Sequence, residues 1–426
     1  MKSLADIARE LQGYDPQALS AEAVGEFLRH LIEPVAQTEE VELRHALDRV
    51  LAQDLISPLS VPAHDNSAMD GFAFDGRLLQ PGQALELQMV GTALAGRAWQ
   101  GEAGAGQCVK IMTGAIMPRG LDTVVAQEFT QALDGGRIRI PADLLQRGDN
   151  RRLRGEDLMV GQPALAAGER LGPAACGLIA SLGLQRVSVR RRPRVACFST
   201  GDEILRPGEP AREGAVYDSN SYTVRGLLTR LGCEIIDLGV VRDEPAQLEQ
   251  AFRRAAEQAD AIITSGGVSV GEADYTKAMM HKLGDVVFWR IAMRPGRPMA
   301  VGRIRQAERS AVLFGLPGNP VAVMVTFLAF VRPALLRLMG ARPQEPVLLQ
   351  ARCNEALRKK PGRTEYQRGL VSRSSDGGLQ VRTTGNQGSG VLSSMAQANG
   401  LIVLRHDQGG VAPGDLVEVM MFDGVI

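Results

Sequence analysis

The period of the hydrophobic pattern shifts along the chain, and each shift marks a region. Residues from about 3 to 50 follow a helical period, with Phe27, Leu28 and Leu31 recurring on one face and Leu43, Ala46 and Leu47 on another. From Leu51 to about residue 150, short alternating runs between Gly and Pro turns predict strands, as at 84–90, 108–112 and 137–140. A polar, arginine-rich segment covers 148–161, and Ala174, Ala175, Leu178 and Ile179 predict a short helix over 171–182. From Arg194 the pattern becomes βαβα. Strands are predicted at 195–199, 235–241 and 261–264, with helices at 219–231, capped by Ser219 or Asn220, and at 245–259, opened by Pro245. Asn319-Pro320 opens a long apolar helix that ends near Gly340, after which short strands and turns return from about 345. The fold class is therefore multidomain α/β plus β. A helical linking domain takes 1–50 with 150–188, and a β-rich domain is inserted at 51–149. A doubly wound α/β domain follows at 189–340, and a C-terminal β-barrel-like domain at 341–426.

Composition narrows the function classes. The 426 residues exceed one ordinary core, and about three domains is the prior. A formal net charge of zero argues against a nucleic-acid binder. The five cysteines form no CxxC pair and are odd in number, which argues against a disulfide framework and a structural zinc site, and the five histidines show no HxxxH or HxH spacing. The N-terminus has no apolar core of a signal peptide. The longest apolar run, 321–331, is interrupted by Thr326 and falls short of the ~20 residues that span a bilayer. A cytoplasmic protein with no membrane partner is expected. Arg190-Arg191-Arg192-Pro193-Arg194 reads as a solvated boundary before a strand rather than an anion patch.

Candidate chemistry gathers at the C-terminal ends of the predicted parallel strands, where an open α/β sheet binds ligand. One cluster is Ser199-Thr200-Gly201-Asp202-Glu203, and another is Arg242-Asp243. The most informative runs from Ile262 through Ser265, Gly266, Gly267, Ser269, Gly271, Glu272 and Asp274 to Lys277: an apolar strand, a glycine turn and a helix start. Such a turn aims backbone N–H groups and a helix N-terminus at one point, as phosphate cradles do. Acids beside a phosphate point to a divalent metal, since Mg²⁺ is commonly held by one or two carboxylates plus substrate phosphates. Helix capping is the structural alternative for Asp202 and Asp243. Arg290, Arg294 and Arg297 supply guanidinium groups suited to phosphate or a tetrahedral oxyanion such as molybdate. Leu316-Pro317-Gly318-Asn319-Pro320 is a stiff loop with Asn319 as the expected helix cap, and its helix start offers a second anion site or simply begins a helix. The segments around Asp70 and Thr113 read as turns next to strands. There is no P-loop and no GxGxxG turn. Gly267–Gly271 matches GxSxG around Ser269, but His281 and His406 are poorly placed to complete a hydrolase triad.

In combination and order these segments resemble the molybdopterin molybdenumtransferase family, bacterial MoeA and the E domain of gephyrin. The matching pieces are SAMDGFA at Ser67, TGAIMP at Thr113, DTVVAQE at Asp122, RGED at Arg154, STGDE at Ser199, YDSN at Tyr217, TSGGVSVGEADY at Thr264, RPGRP at Arg294, GLPGNPVA at Gly315 and GSGVLSSMAQANG at Gly388. They cover nearly the whole chain. The resemblance implies elongated homodimers that take adenylylated molybdopterin and molybdate, release AMP with Mg²⁺ involved, and leave molybdenum on the dithiolene. It implies a cleft between the α/β domain of one subunit and the β-rich domain of the other. It implies a molybdopterin adenylyltransferase and recipient molybdoenzymes or their chaperones as partners. Carried over by residue, Asp70, Thr113 and Asp157 belong to the catalytic set, and Glu203, Asp243 and Asp274 hold metal or orient water. Thr200, Gly201, Ser265, Gly266, Gly267, Ser269 and Gly271 bind the molybdopterin or its phosphate, with Pro317, Gly318, Asn319 and Pro320 shaping the pocket. Arg290, Arg294, Arg368 and Ser389 bind molybdate. Arg290 and Arg294 stand where family members often carry lysine, which keeps the charge and removes a titratable amine. An adenylyltransferase, a nucleotide pyrophosphatase and a non-catalytic carrier are the competing readings.

Overall fold

In the computed structural model, residues 2–11, 14–268 and 275–422 are described. The chain from Arg194 builds a six-stranded sheet in the order Glu234–Val241, Arg194–Thr200, Ala261–Ser265, Arg309–Leu316, Pro298–Gln306, Gly284–Arg290. The first four strands are parallel. The last two are antiparallel, so the doubly wound core is widened into a mixed sheet by the hairpin of 298–316 and one edge strand. Burial on both faces explains the continuous apolar runs of the central strands. Val195, Cys197, Ala261 and Ile263 enter one core, and Ala196, Phe198 and Ile262 enter the other. Helix Ser219–Leu231 covers the first face with Val224, Leu227, Leu228 and Leu231. Helix Pro245–Gln258 covers the second with Leu248, Phe252, Ala255 and Ala256. Each such Leu or Phe contributes about 1.5–3 kcal/mol by burial. The helix at 219 is capped by Asp218, not by Ser219 or Asn220, because the Asp218 carboxylate reaches the Ser221 N–H.

The apolar helix after Asn319 runs through Pro320–Thr326, a π-helical turn at Phe327–Val331, and Arg332–Leu338. Pro333 has no N–H to continue the ladder, and the π turn just before it absorbs the missing bond. At 19 residues the whole helix is longer than the apolar run that sequence alone delimits and long enough to cross a bilayer, yet it is mostly buried inside the protein. It is the central helix of the largest core, packed with Phe27, Leu28 and Leu31 of helix Ala21–Leu31.

The helical period expected up to residue 50 ends earlier. Thr38–Glu42 is a strand paired with Arg186–Arg190, Leu43–His45 is a single 3₁₀ turn, and Leu47 is exposed. One turn satisfies the Leu43/Ala46/Leu47 spacing as well as a helix does, and pairing with a remote strand decided the rest. The arginine-rich boundary is neither anion patch nor solvated loop. Arg191 forms a two-pronged ion pair with Asp260 at 2.9 and 3.1 Å, Arg190 bonds the carbonyls of Val35 and Ala36, and Arg192 bonds that of Gly232.

The inserted sheet is ordered Thr123–Ala126, Gly71–Phe74, Gln107–Ile111, Leu85–Ala93, Arg137–Ile140, Gln131–Leu133. Gly71 permits a close strand approach, for a Cβ there would lie 1.9 Å from the Val125 carbonyl oxygen. The C-terminal sheet closes on itself, because Thr364–Arg373 pairs with both Leu379–Thr383 and Gly400–Leu404. The two-residue strand Met293–Arg294 adds to that barrel beside Thr364 and Glu365. The arginine loop of the α/β sheet is thereby tied to the C-terminal barrel.

Candidate functional site

Sheet register fixes the site. Thr200 pairs with Val241 and Ser199 with Ser265, so the STGDE, RDE and SGG segments leave neighbouring strands at one end. Ser265 also pairs with Leu316, which places the LPGNP loop at the same end. Arg290 pairs with Pro298 at the antiparallel side of that end, where Arg294 follows on its short strand. Both arginines are exposed.

The backbone turns here are ones only glycine takes readily. Gly201 has φ +141°, Gly266 +92° and Gly267 +66°. A Cβ on Gly266 would lie 2.7 Å from the Thr200 carbonyl oxygen, and one on Gly267 2.5 Å from the Thr276 Cβ. The Thr200 Oγ1 is buried with no hydrogen-bond partner among the described residues and stands 3.1 Å from that same point above Gly266, so a polar group is held ready beside the turn. The Gly266 N–H is engaged by the Leu316 carbonyl at 3.2 Å, so as a phosphate donor Gly266 is excluded, and its contribution is the turn itself. Ser269, Gly271 and Asp274 lie outside the described residues.

Acids flank the turn. The exposed Glu203 folds its carboxylate back over Gly201, where a Cβ would meet Oε2 at 2.6 Å. Asp202 caps no helix. It accepts the Asp243 N–H at 3.4 Å, and its carbonyl accepts Nη1 of Arg242 at 3.0 Å and a guanidinium N–H of Arg212. Asp202 thus joins two of the clusters, a role that its reading as a cap did not anticipate. Among the described residues no three His, Cys, Asp or Glu side chains form a metal-holding group. Replacing Gly201 by Ala should push the Glu203 carboxylate out of place. Activity is expected to fall with the Gly201→Ala variant while melting temperature falls only a few degrees, as measured by calorimetry beside the turnover assay.

Below the turn is a buried network. The Ser199 hydroxyl donates to Asp218 at 3.0 Å and stands 3.0 Å from the Ser265 hydroxyl, all three residues being under a tenth exposed. Asn220 donates from Nδ2 to the Gly318 carbonyl at 2.8 Å and fastens the LPGNP loop to the helix start. The YDSN segment carried both Asp218 and Asn220, but neither stood among the site candidates. The expected side-chain capping by Asn319 does not occur: its side chain makes no cap bond, and the Val321 N–H donates to the Ser389 carbonyl at 3.1 Å. The first N–H of this helix is therefore taken by the C-terminal domain rather than offered to an anion. Pro317 is buried, Pro320 half-buried, and Gly318 and Asn319 are exposed.

Arg368 is 1% exposed, and its guanidinium bonds the Ser394 hydroxyl at 2.9 Å and the carbonyls of Asn386 and Gly388 at 3.2 and 3.0 Å. Burial, with the Arg294 charge nearby, pulls its pKa down to about 10. Arg294 and Arg368 both line a cavity of about 220 Å³ with Glu355, Glu365 and Gln387. As an anion ligand Arg368 is thus largely committed to holding the loop that carries Ser389.

Asp70 and Thr113 come together at the end of the inserted sheet, apart from the α/β strand ends. The Asp70 Oδ1 accepts both Thr113 Oγ1 and its N–H at 2.7 Å. These bonds, the hydroxyl first, hold the Asp70 carboxyl below the usual carboxylate range. A Thr113→Val variant should raise the Asp70 midpoint toward about 3.9, followed by carbon NMR titration. The sign is that of a depressed carboxylate: whatever stability the pair adds is present above about pH 3.9 and is lost as pH falls through the lower, folded midpoint. Asp157 is exposed on a separate loop, its N–H bonded to the Val61 carbonyl at 3.1 Å.

Comparison with known proteins agrees with this geometry. Residues 19–183 match the MoeA N-terminal region (domain I and II), 196–337 the probable molybdopterin binding domain, and 350–422 the MoeA C-terminal region (domain IV). The chain is 41% identical over 391 residues to a molybdopterin molybdenumtransferase of Haemophilus influenzae, covering 92% of this chain and 95% of that one. It is 37% identical to a Nostoc protein of the same name, covering 90% and 88%. The crystal structure of a molybdopterin biosynthesis MoeA protein from Pyrococcus horikoshii superposes with a TM-score of 0.81 at 26% identity, covering 95% of this chain and 100% of that one.

Proposed function

The chain belongs to the MoeA family of molybdopterin molybdenumtransferases, enzymes of molybdenum cofactor biosynthesis, and from that premise we propose that it takes adenylylated molybdopterin and molybdate, releases AMP and leaves molybdenum on the dithiolene. The observation that carries this reading is the strand-end turn with its unpartnered Thr200 hydroxyl beside Glu203 and the Asp202–Asp243 link. Glu203 and Asp243 end adjacent parallel strands and present hard oxygen donors, which suits Mg²⁺ completed by substrate phosphates. Bound there, Mg²⁺ would neutralise charge developing on the phosphoryl oxygens. The protein's own residues orient the substrate. The glycine turn brings backbone close to it, Thr200 offers a hydroxyl, and Asn220 holds the LPGNP wall in place.

Arg290 and Arg294 hold molybdate by charge and forked hydrogen bonds, and being permanently protonated they transfer no proton. Arg294 lines the cavity it shares with Arg368, which supports an oxyanion at that side of the site. The protein acts in the cytoplasm as a homodimer in which the inserted sheet of one subunit faces the α/β sheet of the other. The support is that Asp70 and Thr113 form an exposed, hydrogen-bonded pair on a sheet of their own, with the Asp70 carboxyl held below the usual carboxylate range. A molybdopterin adenylyltransferase supplies the substrate, and molybdoenzymes or their chaperones receive the product.

The test is AMP release from adenylylated molybdopterin with Mg²⁺, with and without molybdate. Molybdate-dependent release is the expected result. Release without molybdate would indicate a pyrophosphatase, and tight binding with no release would indicate a carrier.

A further inference from the structure

The buried network under the glycine turn has a direction. A carboxylate only accepts hydrogen bonds, and a serine hydroxyl has one proton to give. The Asp218 Oδ1 already takes the Ser221 N–H at 3.0 Å, and it takes the Ser199 proton at the same distance. Ser199 has then no proton left for Ser265, although the two oxygens stand 3.0 Å apart. Any hydrogen bond the two share is then donated by Ser265, which leaves only lone pairs on the side of Ser265 turned away from Ser199.

We propose that Asp218, acting through Ser199, fixes the Ser265 hydroxyl as a hydrogen-bond acceptor at the strand end, so that it takes an N–H or O–H donor of the ligand and not a phosphoryl oxygen. This rests on the molybdopterin reading of the site and deepens it. Phosphoryl oxygens accept, and one placed against this hydroxyl would face lone pairs across a buried contact. The heterocycle amide and amino groups of a pterin fit, and so do the hydroxyls and amino group of an adenosine. The second observation is the Thr200 Oγ1, which belongs to a residue only 4% exposed, has no partner among the described residues, and is poised above Gly266 immediately after Ser265. Its proton is uncommitted, so Thr200 can donate where Ser265 accepts. The pair offers one acceptor and one donor side by side, a pattern that an amide edge matches and a phosphate does not.

Asp218 and Ser199 are positioning residues here, and their test needs a readout that packing alone would not move. Neutron diffraction from the perdeuterated, ligand-free protein reads the order directly. The expected deuterium positions are Ser199 toward Asp218 and Ser265 toward Ser199. A Ser265 deuterium pointing away from Ser199 overturns the proposal whatever the protein's substrate proves to be.

Binding then tests the consequence by calorimetry, with pterin-6-carboxylate, adenosine and sulfate as probes of the ligand's parts. Ser265→Ala should weaken the donor-bearing probe that reaches the site by roughly tenfold and leave sulfate, which only accepts, unchanged. An effect confined to pterin-6-carboxylate identifies the pterin edge as the donor, and one confined to adenosine identifies the nucleoside. Equal weakening of sulfate, or no weakening of either donor, overturns the acceptor role. The melting temperature of each variant, read by calorimetry, serves as the fold control. Ser199→Ala frees the Ser265 proton to turn outward and should reduce the preference for donors over sulfate. Failure of the molybdopterin reading would appear separately, as turnover of another substrate with the deuterium order intact.

Discussion

Glu203→Ala is expected to reduce molybdate-dependent AMP release by about 100-fold or more, the scale of losing one preorganised electrostatic group at a reacting centre. Three structural facts make the effect functional rather than structural. Glu203 is exposed, so truncation opens no cavity in a core. Its carboxylate lies over Gly201, where the positive φ brings the chain round and leaves room for nothing larger than hydrogen. The Glu203 backbone carbonyl keeps its bond from the Val216 N–H at 3.0 Å whatever the side chain, so the loop keeps its anchor. Melting temperature should accordingly be unchanged. Glu203→Gln preserves shape and removes charge, and should lose nearly as much activity if charge is what matters. Wild-type turnover in the alanine variant would remove Glu203 from the metal and phosphate side of the site.

Arg368→Leu should destabilise the C-terminal barrel by about 3 kcal/mol, the order of magnitude for removing a buried charged donor whose partners stay behind. The carbonyls of Asn386 and Gly388 and the Ser394 hydroxyl would lose their guanidinium donors inside the protein. Hydrogen exchange along Thr364–Arg373 measures the loss locally. Because the loop so held leads to Ser389, whose carbonyl anchors the Val321 N–H, the LPGNP loop should loosen with it. Arg368→Lys should recover little, since one ammonium cannot span the three acceptors of a fork. A variant of undiminished stability with only a raised molybdate requirement would show instead that Arg368 serves the anion alone.

What sequence revealed and what it hid divide along physical lines. The βαβα period located the strands Arg194–Thr200, Glu234–Val241 and Ala261–Ser265 and the two helices between them within a residue or two, since two-sided burial writes itself as unbroken apolar runs, but the fourth parallel strand, Arg309–Leu316, was not anticipated. The antiparallel strands Gly284–Arg290, at the edge, and Pro298–Gln306, inside the sheet, were not anticipated either, because their pairing depends on the neighbours the fold brings beside them and not on local period. The clusters after Ser199, Val241 and Ser265 converge because strand order fixes where parallel strands end. Side-chain partners were the hidden part. Nothing in the order of residues says that Asp218 caps its helix and also takes the Ser199 proton, that Asp202 bridges to Asp243, or that the Gly266 N–H is already engaged. Arg368 illustrates the same limit: a motif supplies a charge, but burial and three acceptors decide what the charge does.

The most direct measurement is reconstitution. Purified protein would be mixed with adenylylated molybdopterin, Mg²⁺ and molybdate, and the product passed to an apo-molybdoenzyme while AMP and bound molybdenum are counted together. Activated enzyme carrying molybdenum is expected, with AMP released in equal amount and only when molybdate is present. AMP released in full without molybdate, or an acceptor enzyme left without metal, would contradict the molybdenumtransferase function.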